Sequence, residues 1–253
     1  MVVGSGTAAP EAERVCSAYY IRSRDTDLLL DCGPGAVHRM ANLGLPWRDV
    51  RNVAISHFHN DHIGDLPMLL FAMKWGTETR RTEPLTLWGP TGLQERLDRL
   101  AHALGDHVSD PGFPLAVNEM RPGDIEAMGG EFRVRVAKTP HTAESLAWRV
   151  EARDGGTFGY TGDTGPSEEV ADFLQDVDLL VAECALPDDD AIPTHLSPTS
   201  LAAMANRAAP RQLAVTHVYP WLDARDVLQR IREAGWTGGL VRATDGLTVD
   251  LPG

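Results

Sequence analysis

Cysteine is scarce in this chain of 253 residues, and Cys16, Cys32 and Cys184 are odd in number, widely scattered and without paired spacing. They suit reduced thiols in a cytoplasmic protein better than a disulfide framework. No stretch approaches the roughly 18 consecutive apolar residues of a membrane helix. Met1-Val2-Val3-Gly4-Ser5-Gly6 has no charged start and no long apolar region, so no signal peptide is visible. Positive charge is also short: 23 Lys and Arg against 36 Asp and Glu leave a formal charge of −13. That balance argues against a large RNA or DNA partner, whose affinity rests on basic residues neutralising phosphates. It does not exclude a small anionic substrate, because bound metal ions can dominate a local field. Low-complexity linkers and short internal repeats are missing too, which leaves one domain over residues 1–253 as the expectation.

What the chain does have is Ser56-His57-Phe58-His59-Asn60-Asp61-His62, directly after the apolar run Val53-Ala54-Ile55. The run reads as a short buried strand, which places the cluster at its C-terminal end. Imidazole nitrogen and carboxylate oxygen are the usual ligands of zinc and similar divalent metals. A His-x-His pair in extended chain points both rings the same way, and Asp61 and His62 follow from the next turn. A histidine-rich surface loop is the alternative, but four ligand-type residues in one hexad point to a metal site.

Around it the chain alternates short strands and helices. Val2-Val3 is the stub of a strand, short enough to leave open a start upstream. The glycine-rich turn after it has no helix behind it and so is not a dinucleotide fingerprint. Residues 17–22 and 28–31 read as a hairpin, 36–43 as a helix closed by Gly44, 53–56 as a strand and 66–75 as a helix. Strands follow at 85–88, 115–119, 132–137, 146–152, 158–161, 179–183 and 213–216. Thr91 is the expected cap of a helix to about 103, and Ser197 that of a helix over 198–207. Further helices fit 167–173 and 224–234, and 240–243 with 247–249 reads as a closing hairpin. Residues 105–114 and 187–193 read as loops, the latter a solvated acidic turn. The pattern suits two sheets covered by helices.

Three more ligand-type residues stand at strand ends: His141 after Pro140, Asp163 in a Gly-Asp-Thr turn, and His217. Open α/β architectures place their sites at such ends. Taken together, His57-x-His59-x-Asp61-His62, His141, Asp163 and His217 resemble the complete ligand set of the metallo-β-lactamase superfamily. The resemblance covers nearly the whole chain, from Gly4-Ser5-Gly6-Thr7 through Asp31-Cys32-Gly33 to His217. It implies an α/β (α+β) fold, a four-layer αβ/βα sandwich, with two divalent metal ions at one edge. Zinc is the expected metal, and manganese or iron fits the same ligands. By match of motifs His57, His59 and His141 would hold the first ion, Asp61, His62 and His217 the second, and Asp163 would bridge them. The bridging aspartate points to hydrolases of phosphodiesters, thioesters or lactones.

The stretch from Pro140 to Val150 resembles the ribonuclease Z branch rather than the Pro-Gly-His-Thr-x-Gly form of glyoxalase II and lactonases. Thr194-His195-Leu196-Ser197 resembles that branch's extra catalytic histidine motif, which would make His195 a proton donor to the leaving oxygen. Glu183, at its own strand end, is placed to orient it, and Asp61 would orient or deprotonate the nucleophile. The chain departs from ribonuclease Z in one respect. Only 22 positions separate His141 from Asp163, filled by two strands and the turn Asp154-Gly155-Gly156, so the long arm that grips transfer RNA has no room. The expectation is therefore a two-metal phosphodiesterase for a small, even cyclic, phosphodiester, acting through a metal-bridging hydroxide, with transfer RNA disfavoured as a partner, no membrane partner and a homodimer allowed. A thioester or lactone hydrolase shares every ligand but has no need of His195, and a non-catalytic metal-holding protein is the third class. Tyr219-Pro220-Trp221 reads either as a platform for a ring or as a packed loop. Arg80 and Arg81 read as an exposed charge pair rather than a phosphate guide, and His38, His102 and His107 as surface or structural residues.

Overall fold

The computed structural model describes residues 1–222 and 224–252, with the side chains of 224 and 225 excepted. One sheet holds six strands in sequence order: β1 (Val2–Gly4), β2 (Ala18–Ser23), β3 (Thr26–Leu30), β4 (Asn52–Ala54), β5 (Leu85–Pro90) and β6 (Leu115–Met120). Its first three strands run antiparallel and β3 to β6 run parallel. The second sheet holds β7 (Ile125–Met128), β8 (Phe132–Lys138), β9 (Leu146–Ala152), β10 (Thr157–Tyr160), β11 (Leu179–Glu183), β12 (Gln212–Thr216) and β13 (Gly239–Arg242), again in sequence order. Here β7 to β10 are antiparallel and β10 to β13 parallel.

The helices are α1 (Ala36–Asn42), α2 (Asn60–Ile63), α3 (Leu66–Trp75), α4 (Leu93–Leu104), α5 (Glu168–Phe173), α6 (Pro198–Ala208) and α7 (Ala224–Glu233). Side-chain alternation along the strands decides the layers. On β3, Leu28 and Leu30 face the other sheet, while Leu29 packs with Met40 of α1 and Leu69 and Met73 of α3. On β11, Leu179 and Val181 meet the first sheet, while Leu180 and Ala182 pack with Val170 of α5 and Leu201 of α6. Every residue of β11 is buried, as expected of a parallel strand covered on both faces. The result is four layers: helices, sheet, sheet, helices. Trp148 is the largest fully buried side chain between the sheets, where truncation to alanine costs roughly 3–5 kcal/mol. At the site end, Tyr19 of the first sheet reaches Thr216 of the second, hydroxyl to hydroxyl at 2.7 Å.

Two local expectations need correction, and one strand carries no sequence signal. Thr91 does not cap α4. Its N-cap is Gly92 in a left-handed conformation, and the Glu119 carboxylate accepts the N–H groups of Gly92 (3.0 Å) and Gln94 (3.1 Å) from outside the helix. Residues 247–249 form no hairpin with β13. A turn closed by Leu247 N–H on the Thr244 carbonyl sends the tail to β1, where the Leu247 carbonyl accepts from Val2 N–H. The strand β7 was not foreseen, because Ile125, Glu126 and Ala127 are exposed and carry no buried alternation. No helix among the described residues is long and apolar enough to cross a membrane.

Candidate metal centre

The site lies where the parallel strands of both sheets end. The chain leaves β4 through Ile55, Ser56 and His57, and His59 is the N-cap of the one-turn helix α2, which carries Asp61 and His62. Gly33 lets the preceding turn press on this segment, since a Cβ there would collide with the Asp61 carbonyl and the Cys16 side chain. From the other sheet come His141 after β8, Asp163 after β10 and His217 after β12. His217 holds φ at +53°, in the left-handed region that only a few per cent of non-glycine residues enter. Such outliers persist where surrounding contacts hold them, and they concentrate at functional sites. Gly165 does for the far wall what Gly33 does for the near one. A side chain there would run into the Pro193 carbonyl, so the 193–195 segment sits directly against the Asp163 turn.

Two groups of donor atoms converge. In the first, His57 Nε2 lies 3.1 Å from His59 Nδ1, which is 3.0 Å from His141 Nε2, and Asp163 Oδ2 stands 3.8 and 3.6 Å from His57 and His141. In the second, Asp61 Oδ2 lies 3.2 Å from His217 Nε2 and 3.8 Å from His62 Nε2. Asp163 Oδ1 completes it at 3.2 Å from His62 and 3.7 Å from His217. Ligands held at zinc distances in a tetrahedron stand about 3.3–3.6 Å apart, so both groups have the spacing of a ligand shell. The two oxygens of Asp163 are divided between them.

Electrostatics gives the same reading. Asp163 Oδ1 and His62 Nε2 are buried and face each other without the alignment of a hydrogen bond. A pair of orphaned buried polar atoms is costly unless something occupies the space between, and a divalent cation fits that donor set. Burial, and then the neighbouring histidines, hold the His57 pKa well below its usual value, and burial lowers that of His141. Both rings are therefore neutral and able to ligate. Burial opposes the charged form of Asp163, but the positive field of His217 and His62 keeps its pKa well below the carboxylate range. In the second group burial lowers the pKa of His62 and His217, but Asp163 and the other carboxylates around them raise both above the usual value. Without a cation these two rings therefore carry the positive charge that a bound metal would replace.

A second ring of contacts orients the donors. Asp31, fully buried and also left-handed at φ +61°, takes His62 Nδ1 at 2.7 Å, Ser56 N–H at 2.7 Å, Ser56 Oγ at 2.8 Å and the Tyr160 hydroxyl at 2.8 Å. His141 Nδ1 donates to the Thr194 carbonyl at 3.0 Å. These contacts leave the opposite ring nitrogen of each histidine free for the centre, the arrangement usual for metal-bound imidazoles. Tyr160 carried no sequence signal as a site residue and showed only as one more apolar strand residue. Asp31 stood in the Asp31-Cys32-Gly33 stretch of the resemblance, but with no role attached to it.

His195 and Glu183 lie beside the centre. His195 Nδ1 is 2.8 Å from Glu183 Oε1, and its ring stands 4.8 Å from that of His141. Glu183 is buried, and its oxygens also accept the N–H groups of Thr164 (2.8 Å), Ala185 (3.1 Å) and Leu196 (3.3 Å). Burial alone would lower the His195 pKa, but the hydrogen bond and charge of Glu183 raise it above its usual value. Tyr219 and Trp221 stack on each other at 4.3 Å, next to His217. Arg81 is not half of an exposed pair. It is half-buried, and its guanidinium donates to the carbonyls of Arg48, Val50, Glu83 and Pro84.

A two-sheet sandwich faced by helices, with this cluster at its strand ends, defines a metallo-hydrolase. The chain belongs to the beta-lactamase superfamily, whose domain matches residues 26–218, and it is a metal-dependent hydrolase. It is 26% identical to a ribonuclease Z of Halorubrum lacusprofundi, over 99% of this chain and 96% of the relative. That alignment spans 305 positions, more than this chain's 253 residues, so the relative carries residues with no counterpart here. Among solved structures, the metallo-beta-lactamase fold protein YhfI of Bacillus subtilis superposes with a TM-score of 0.83 at 24% identity, covering 97% of this chain and 96% of that one. The short form of human tRNase Z superposes with a TM-score of 0.80 at 22% identity, covering 100% and 98%.

Proposed function

We propose that this chain is a two-metal phosphodiesterase acting on a small phosphodiester. The observation that carries the reading is the division of Asp163, with Oδ2 facing His57 and His141 and Oδ1 facing His62 and His217. His57, His59, His141 and Asp163 would hold one ion, and Asp61, His62, His217 and Asp163 the other. Zinc suits these nitrogen and oxygen donors, and manganese or iron would be accepted by the same set. When bound, the pair lowers the pKa of water and neutralises charge on a phosphate.

The chain's own residues do the rest. Asp61, partly exposed, orients the attacking water, since the hydrogen bond and charge of His217 keep its carboxylate ionised against the effect of burial. Glu183 fixes His195 Nδ1, which leaves Nε2 to donate a proton to the departing oxygen. General acid catalysis of this kind contributes typically ~10²–10⁴ in rate. Two features support a small substrate over transfer RNA: the acidic charge, and the short path from His141 to Asp163 through β9 and β10 alone. The His195–Glu183 pair favours phosphodiesters over thioesters, whose thiolate leaving group needs no proton donor. The test is a panel of bis(p-nitrophenyl) phosphate, cyclic and linear phosphodiesters, thioesters and lactones, run on metal-analysed protein. Turnover of phosphodiesters supports the reading. A protein with both metals bound that is inert on them and active on thioesters overturns it.

A further inference from the structure

Trp221 is the most exposed large apolar side chain among the described residues, with 67% of its surface open to solvent. It is nevertheless held in place. Leu222 N–H donates to the Tyr219 carbonyl at 2.9 Å, closing a turn with Pro220 and Trp221 at its centre. Proline fixes its own backbone angle at the second turn position. Both ends of the turn are anchored. Leu222 packs on the core under α6 and α7, and buried Val218 offers its carbonyl to the Arg14 guanidinium at 2.7 Å. On this frame Tyr219 stands edge-on to His217, ring centroids 6.0 Å apart, and Trp221 stacks on Tyr219 at 4.3 Å and 24°. An aromatic step thus leads outward from the second group of donor atoms and leaves the indole uncovered. A fold gains nothing from holding a large ring in water, whereas the base of a nucleotide whose phosphate sits at the donor atoms needs a flat apolar surface beside them.

Building on the phosphodiesterase reading, we propose that Tyr219 and Trp221 form a base-stacking subsite, so that the substrate is a nucleotide phosphodiester rather than a sugar or glycerol one. Stacking on an aromatic face tolerates every base, so the subsite selects for the presence of a base and not for its identity. The chain's negative net charge does not hinder this, because a base is uncharged.

Calorimetric titration of the zinc-loaded protein with AMP and with ribose 5-phosphate, which carries the same sugar phosphate without a base, tests the subsite. AMP is expected to bind about 5- to 150-fold more tightly, the range that alanine substitution reports for base-stacking aromatics. In Trp221→Ala the ratio should fall toward one, and in Trp221→Phe most of it should persist. Equal binding of the two ligands by the wild type, or a ratio that survives Trp221→Ala, overturns the subsite. Wild-type turnover of bis(p-nitrophenyl) phosphate is measured separately. An AMP preference in a protein inert on phosphodiesters removes the catalytic reading and leaves the subsite standing.

Discussion

Glu183 Oε1 accepts His195 Nδ1 at 2.8 Å from a fully buried position. The pair sets both the orientation of the imidazole and its affinity for a proton. Because the bond and charge of Glu183 raise the His195 pKa against the effect of burial, the ring stays protonated to higher pH than a free histidine. A proton donor works below its pKa, so activity should fall as pH rises through that raised value. Glu183→Gln removes the charge and should move the alkaline limb of the kcat profile to lower pH, with kcat down by at least about tenfold. His195→Ala should lose ~10²–10⁴ in kcat and keep its metal. An unshifted limb in Glu183→Gln, or metal loss in His195→Ala, would mean that the roles are misassigned.

Asp31 is the buried acceptor on which His62, Ser56 and Tyr160 converge. Asparagine tolerates the left-handed backbone but has one carbonyl oxygen for these donors. Asp31→Asn should therefore destabilise the metal-free protein by about 2–4 kcal/mol, read as a lower urea midpoint with unchanged slope. It should also weaken metal binding through the His62 ring. A change under about 0.5 kcal/mol would remove Asp31 from this role.

Chelation should destabilise the fold, since the donors come from both sheets. A ligand present at a thousand times its Kd adds about 4 kcal/mol, which for a chain of this length is on the order of 10 °C in Tm. Thermal scans with and without EDTA check this, and added zinc should restore the loss. Protonation of the histidine donors competes with metal, so the gap between the two scans should narrow as pH falls. Coincident scans would show that no metal ties the sheets together.

Arg81 binds four backbone carbonyls around the start of β5. Arg81→Ala should cost roughly 1–3 kcal/mol of stability and leave kcat/KM within about twofold. A large rise in KM for phosphodiesters would return it to the phosphate-steering role that its contacts argue against.

The metal-type residues were legible because their chemistry is local. Four of them fall within one hexad, and His141, Asp163 and His217 each follow the end of a strand. Layering was legible for a similar reason, since β11 shows the uninterrupted apolar run that only a doubly covered strand carries. What could not be read depends on contacts between distant residues. Tyr160 reaches Asp31 across 129 positions, and Glu119 caps α4 from the neighbouring strand's end. The strand β7 shows no pattern because it lies at a solvated edge, and the tail leaves β13 because β1 offers it a partner. Arg81 looked free because its acceptors are backbone carbonyls, which side-chain identity does not reveal.

The central claim is two metals shared through Asp163 and used on a phosphodiester. Metal-free protein titrated with zinc, with hydrolysis of bis(p-nitrophenyl) phosphate followed at each addition, tests it in one experiment. Activity should climb to a plateau at two equivalents per chain. A plateau at one equivalent, or a protein that binds two and cleaves no phosphodiester, would contradict it.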